Sequence, residues 1–165
     1  MTDAHTADHI LAALKERHSG REWAFFPELR LGTGYGVDAE QRIDAYVVGM
    51  WKDLIRIAYE IKVSRSDFLH EIKHPNKARR ALAFSNRYFF ATPVGLVKPE
   101  ELPPWAGLIE VMGNPEYTTA NHWHAKYLCN KVIDAPLRES IRPTWRFVAA
   151  LSRRIVREEA KCQET

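Results

Sequence analysis

Residues 42–63 read RIDAYVVGMWKDLIRIAYEIKV, and this run decides the fold. It divides into two alternating segments, 42–49 and 55–63. In the first, Ile43, Ala45 and Val47 share one face, and Arg42, Asp44 and Tyr46 share the other. In the second, Ile57, Tyr59, Ile61 and Val63 share one face, and Ala58, Glu60 and Lys62 the other. A period of two predicts strands rather than helices. The short stretch between them predicts an antiparallel hairpin that turns near Lys52. Such a turn sets Asp44 opposite Glu60, with side chains about 5 Å apart at Cβ. Lys62 lies two residues beyond Glu60 and projects from the same face. Two carboxylates and an ammonium are therefore expected together, while Ile43, Val47, Ile57 and Ile61 pack the opposite face on the core.

The flanking sequence extends this pattern on both sides. Residues 6–18 predict a helix with an apolar stripe of Ile10, Leu11 and Leu14, started by Thr6 or Asp8. Residues 23–31, WAFFPELRL, predict a strand, and Pro27 favours an edge position. The glycines of 32–41 predict a loop; its GTGYG lacks the Lys-Ser/Thr of a phosphate-binding P-loop. After the hairpin, Ser64 or Ser66 opens a helix, and Ser64 to Asp67 has capping-box spacing with Asp for the usual Glu or Gln. Pro75 suits the first position of another helix, 75–84. RYFFAT (87–92), GLIEVM (107–112) and 124–133 predict strands, and 93–106 a loop with four prolines. A last helix is expected over 143–160. The order is that of an α/β domain with a mixed central sheet flanked by helices.

Composition narrows the class. The chain has 165 residues, a length that suits a single domain, 1–165, with no repeat or linker. At 45% hydrophobic and 27% charged residues it has an ordinary globular composition, which excludes a disordered protein. No apolar run approaches the roughly 18–20 residues of a membrane span. Two cysteines, Cys129 and Cys162, are too few for a four-cysteine zinc site, and the first residues lack a basic leader. A cytoplasmic protein is expected, with no membrane partner. The net charge of +3 says little, but its distribution says more. Residues 73–87 hold Lys73, Lys77, Arg79, Arg80 and Arg87 without an acid. The C-terminal segment holds Arg138, Arg142, Arg146, Arg153, Arg154 and Arg157. Each cluster reads either as a solvated helix face or as a surface for a polyanion.

The chemistry sits in Asp44 and Glu60-Ile61-Lys62. Adjacent carboxylates repel, so one pKa rises unless a cation intervenes. Lys62 compensates in part. A divalent, oxygen-preferring metal compensates better, and Mg²⁺ commonly takes one or two protein carboxylates with waters and phosphate. Such an ion can polarise a phosphoryl oxygen and acidify water, while Lys62 orients that water or stabilises developing charge. This is machinery for phosphodiester hydrolysis. The plain alternative is a salt-bridge triad on a solvated sheet face.

A longer pattern favours the first reading. RIDAY, IAYEIKVSRSDFLHEI, a Pro-x-Lys, SNRYFFATPVGLV, EELP and GLIEV, within residues 22–135, resemble the MmcB-like DNA-repair family of the PD-(D/E)XK nuclease superfamily. The resemblance implies a restriction-endonuclease-like fold and a nuclease that uses Mg²⁺ or Mn²⁺ on DNA. It maps Asp44, Glu60 and Lys62 onto the catalytic motif, and makes Asp44 and Glu60 metal ligands. Glu28, in FFPELRLGTGYG, matches the upstream acid that often assists the metal. Ile43 stands where the motif has Pro. A nuclease of this size suits a homodimer that cuts two strands, or a place in a larger repair complex. Its rivals are a DNA-binding or scaffold protein on the same fold, and an RNA-processing enzyme.

Other residues carry weaker expectations. Ser64, Arg65 and Ser66 can hold a phosphate at a helix start, or simply cap it. Lys77, Arg80 and Arg87 are candidates for nucleic-acid backbone contacts, which supply affinity without sequence information. His122 with His124, and His70 with His74, have metal-like spacing but no third ligand nearby; packing is the better reading. The five tryptophans can stack single-stranded bases but are expected in core or interface packing, apart from Trp51, which the hairpin turn exposes.

Overall fold

Alternation in 42–61 produces the centre of a six-stranded mixed sheet. The computed structural model describes residues 6–32, 41–51, 53–121 and 124–163. Strands β1 (Trp23–Arg30), β2 (Arg42–Gly49) and β3 (Arg56–Ile61) run antiparallel in sequence order. Two helices, α2 (Arg65–Lys73) and α3 (Asn76–Phe84), then carry the chain across the sheet. They deliver β4 (Arg87–Pro93) parallel to β3, and β5 (Gly107–Gly113) follows parallel to β4. Strand β6 (Tyr127–Ile133) closes the sheet antiparallel to β5. The spatial order is β1-β2-β3-β4-β5-β6. Helix α1 (Ala7–Arg17) precedes the sheet and α4 (Trp145–Gln163) ends the chain.

The β2–β3 register matches the expected hairpin: Ala45 faces Tyr59, and Val47 faces Ile57. Pro27 lies on β1, which is an edge strand, where its missing N–H costs least. The sequence-based element boundaries move by a few residues, the largest shifts being the start of β6 at Tyr127 instead of 124 and the end of α4 at Gln163 instead of 160. The glycine-rich 33–40 lies outside the described residues, as do His122 and Trp123.

One expectation about the core is corrected. The sheet is not apolar on one face only; helices cover both. Phe68 of α2, Ala78 and Ala81 of α3 and Phe147 of α4 pack on Tyr46, Ala58, Tyr88 and Phe90. Ile10, Ala13 and Leu14 of α1 pack on Ala45, Val47, Ile57 and Tyr59. Asp44 and Glu60 thus share their face with the core around Tyr46 and Tyr88, at its end. Ile43 joins that same core rather than the one beneath Val47. Double coverage explains why β3 and β4 are nearly continuous apolar runs. Trp51 is 67% exposed as the turn requires, and Trp145 is 87% exposed at the start of α4.

Gly107 opens β5 at a close approach. A Cβ there would come within 2.5 Å of the Phe89 ring and 2.6 Å of the Ala135 nitrogen. Gly107→Ala is expected to cost about 1–3 kcal/mol, the usual penalty of overpacking. A urea titration tests this; an unchanged midpoint would show that the strand end yields freely.

Candidate active site

Three strands bring the acids together. The β1–β2 register pairs Pro27 with Ala45 and Leu29 with Ile43, so Glu28 lies across from Asp44. Glu28 has φ of 49°, in the left-handed region. A non-glycine residue held there is strained, and such strain clusters at functional sites. The Glu28 carboxylate forms an ion pair with Arg42 at 3.0 Å, with both side chains about half exposed.

Strands β2 and β3 part at Asp44. Gly49 N–H donates to the Ile55 carbonyl at 2.7 Å, which fixes the odd-numbered residues as the bonded positions of this ladder. The ladder ends at Ala45 and Tyr59. The Ile61 N–H, next in that alternation, donates to Asp44 Oδ2 at 2.8 Å. Beyond the fork β3 stays with β4, where Lys62 N–H donates to the Ala91 carbonyl. The Asp44 side chain thus stands in the fork and satisfies a strand donor there.

Glu60 and Lys62 lie beside it on β3 and just past its end. Lys62 Nζ donates to Glu60 Oε1 at 2.7 Å and lies 3.5 Å from Glu71 Oε2. Glu60 and Glu71 are both buried. Burial, and then the charge of Asp44, push the Glu60 carboxyl up to about 7. Burial disfavours the Lys62 ammonium, yet Glu60, Glu71 and Asp44 outweigh it and hold its pKa above that of an ordinary lysine. One lysine therefore faces three carboxylates. The second Glu71 oxygen, Oε1, is buried with no hydrogen-bond partner among the described residues. Together these features leave a shortage of positive charge at the fork.

An open cleft of about 280 Å³ gives access to it. Glu28, Arg42, Asp44, Glu60, Ile61 and Lys62 line one side, and Ala7, Asp8 and Leu11 of α1 the other. All four residues of the expected catalytic and metal set therefore meet at one cavity. Glu28 reaches its wall with the carboxylate engaged by Arg42. Among the described residues, no three His, Cys, Asp or Glu side chains gather closely enough to hold an ion by themselves.

The expected nucleic-acid contacts are dispersed. Ser64 is the residue before α2, but its hydroxyl meets Ser66 Oγ at 2.6 Å and makes no cap bond to the backbone. The capping-box expectation is therefore wrong: the two hydroxyls satisfy each other. Arg65 donates to the Leu96 carbonyl and pairs with Glu101, bracing α2 against the 99–101 turn. Lys77 and Arg80 lie on α3. Arg87 is not brought to the cleft. It pairs with Ile57 at the start of β4, while Glu60 pairs with Phe90 three residues further along. Its guanidinium donates to Asp134 and to the Ala135 carbonyl.

Two acids at the site were not found from the sequence. Asp8 reads as a helix-start residue, and only the seating of α1 puts it at the cleft. Glu71 left a faint signal, since it follows buried Phe68 by three positions on α2 and so falls on the helix's inward face.

Fold and site together define an α/β domain with a mixed six-stranded sheet and an acidic cleft at a strand fork. A solved structure, the SPO1766 protein of unknown function from Silicibacter pomeroyi, is similar over 93% of this chain and 91% of its own, with a TM-score of 0.60 and 19% identity. That likeness shows the fold. No family model matches the chain, and no curated protein does. No helix among the described residues is long and apolar enough to cross a membrane.

Proposed function

We propose that this protein is a metal-dependent nuclease of the PD-(D/E)XK superfamily, restriction-endonuclease-like in fold, which hydrolyses DNA phosphodiester bonds in repair. One observation carries the reading: Asp44, Glu60 and Lys62 converge on a single cleft where two paired strands part. A salt-bridge triad on a solvated face, the plain alternative, does not account for a buried Glu60 or a Glu71 oxygen buried with no partner among the described residues.

The residues fit a small hard cation. The fork has more carboxylate than ammonium charge, and Glu60 has the most to gain from a cation. Mg²⁺ keeps several waters and takes one or two protein carboxylates with substrate phosphate, a demand that Asp44 and Glu60 can meet. Asp44 and Glu60 would hold Mg²⁺ or Mn²⁺, with Glu28 at the cleft wall. Such an ion supplies Lewis acidity and acidifies water. The chain's own part is positional. Asp44 is anchored by the Ile61 N–H, which fixes its carboxylate. Lys62, held between Glu60 and Glu71, points a pre-oriented ammonium at the place where charge develops on phosphate or where water attacks. Its three donors permit either role.

The test is cleavage of single-stranded, duplex and branched DNA with Mg²⁺, Mn²⁺ or EDTA. Cleavage with a metal and none in EDTA is expected. Binding without cleavage under both metals would replace the nuclease by a non-catalytic DNA-binding or scaffold protein. Preferential cutting of matched RNA would move the substrate to RNA.

A further inference from the structure

Two of the C-terminal arginines, Arg153 and Arg157, are exposed on α4, but they do not stand alone. Arg153, Arg154 and Arg157 of α4 meet Arg30 of β1 and Arg42 of β2 in a groove of about 190 Å³. Three separate elements contribute. Ala150, one turn before Arg153 and Arg154, is buried in the same groove, and its small side chain lets α4 approach β1 closely. Among the described lining residues the one acid is Glu28. Arg153 and Arg157 stand at i and i+4, a spacing at which like charges repel. Arg30, Arg42, Arg153 and Arg157 thus set four guanidinium groups against one carboxylate in the described lining, and an anion there would relieve their repulsion.

The groove is continuous with the cleft at the fork, because Glu28 and Arg42 line both. We propose that it is a binding track for the phosphodiester backbone of one nucleic-acid strand, which it leads into the cleft. Guanidinium forks match phosphate oxygens in pairs, and such contacts read no bases. A phosphate that reaches Arg42 competes with Glu28 for the same guanidinium, at the seam between track and cleft. What the track delivers to rests on the nuclease reading; that it binds a strand does not.

Binding of a labelled oligothymidine strand by the full chain in EDTA, over a salt series, separates the two. Wild type is expected to bind with a steep salt dependence. Arg153→Gln/Arg157→Gln is expected to lower the slope of log K against log salt by about 1.4, roughly 0.7 for each lost phosphate contact. Lys15→Gln/Arg21→Gln removes the same charge outside the groove and is expected to leave the slope near wild type. Equal losses in both doubles would overturn the track in favour of bulk charge. No binding by wild type would overturn it outright. A retained melting temperature in the groove variant excludes misfolding as the cause. If wild type binds through the groove yet never cleaves with Mg²⁺ or Mn²⁺, the track stands and the nuclease reading falls.

Discussion

Asp44→Asn is expected to abolish metal-dependent DNA cleavage, by about a thousand-fold or more, while the protein melts close to wild type. The structure separates this variant from the more obvious alanine. Asp44 has two tasks: it carries a negative charge at the cleft, and it accepts the Ile61 N–H at 2.8 Å. Asparagine keeps a carbonyl oxygen of the same reach, so the strand donor stays satisfied. It loses the charge. Asp44→Ala loses both, and an unsatisfied N–H at a partly buried fork costs about 1–3 kcal/mol. In a chain of this size, that lowers the melting temperature by roughly 2–4 °C per kcal/mol. The expected pattern is two inactive variants of unequal stability. Cleavage and thermal melts on both variants decide it. If Asp44→Asn cuts like wild type, Asp44 has only a structural role. If the asparagine variant fails to fold, the charge belongs to the fold rather than to a reaction.

Glu60→Gln is the second large effect, and its sign depends on pH. The folded Glu60 carboxyl is raised to about 7 from 4.5, chiefly by burial and then by Asp44. Between these values the folded chain binds more protons at this site than the unfolded chain does. Stability from this group is therefore full below about pH 4.5, falls as pH rises toward 7 and levels off above it. The ionised form costs of order 3 kcal/mol. Glutamine keeps the shape and never ionises. In EDTA, its melting temperature relative to wild type should rise from pH 5 to pH 8 by about 5 °C or more. Lys62 keeps the glutamine oxygen as an acceptor but loses one counter-charge, which offsets part of the gain, and keeps the charge of Glu71. Mg²⁺ at pH 8 is expected to raise the wild-type melting temperature and leave the variant unmoved, while cleavage is lost in the variant. A melting difference that does not change with pH would show that Glu60 ionises without penalty. The pair of results also explains why a costly carboxylate would be retained: it serves a cation, not the fold.

The two variants probe one fork, and most of that fork was legible before folding. Alternation over 42–49 and 55–63 predicts both strands and which side chains share a face. The hairpin register follows from where the polarity breaks, and the observed Ala45–Tyr59 pairing is the one that turn implies. The juxtaposition of Asp44 with Glu60 and Lys62 is a direct consequence, since a strand's period of two is a local rule. Glu28 was legible only through the resemblance. Nothing in its neighbours announces a left-handed backbone within a strand.

Where the structure departs from the sequence reading, the causes are side-chain conformation and elements seated from afar. Arg87, a candidate for nucleic-acid backbone contact, lies away from the cleft because β4 runs parallel to β3 and places its start three residues from the partner of Glu60. Ser64 and Ser66 satisfy each other because their rotamers meet, which residue spacing does not determine. The apolar face expected opposite Asp44 became one of two covered faces once the crossover helices and α1 packed on opposite sides.

By itself the sequence determined the α/β class, the order of elements, the hairpin register and the three charged residues at its open end. These depend on periodicity and on pairing between neighbours along the chain. Only the tertiary structure decided that the strands fork at Asp44, that Glu71 enters beside Lys62, and that five arginines from β1, β2 and α4 share one groove. Those outcomes depend on how a helix is rotated and seated against the sheet. Packing of side chains distant in sequence sets that seating, and no local pattern contains it.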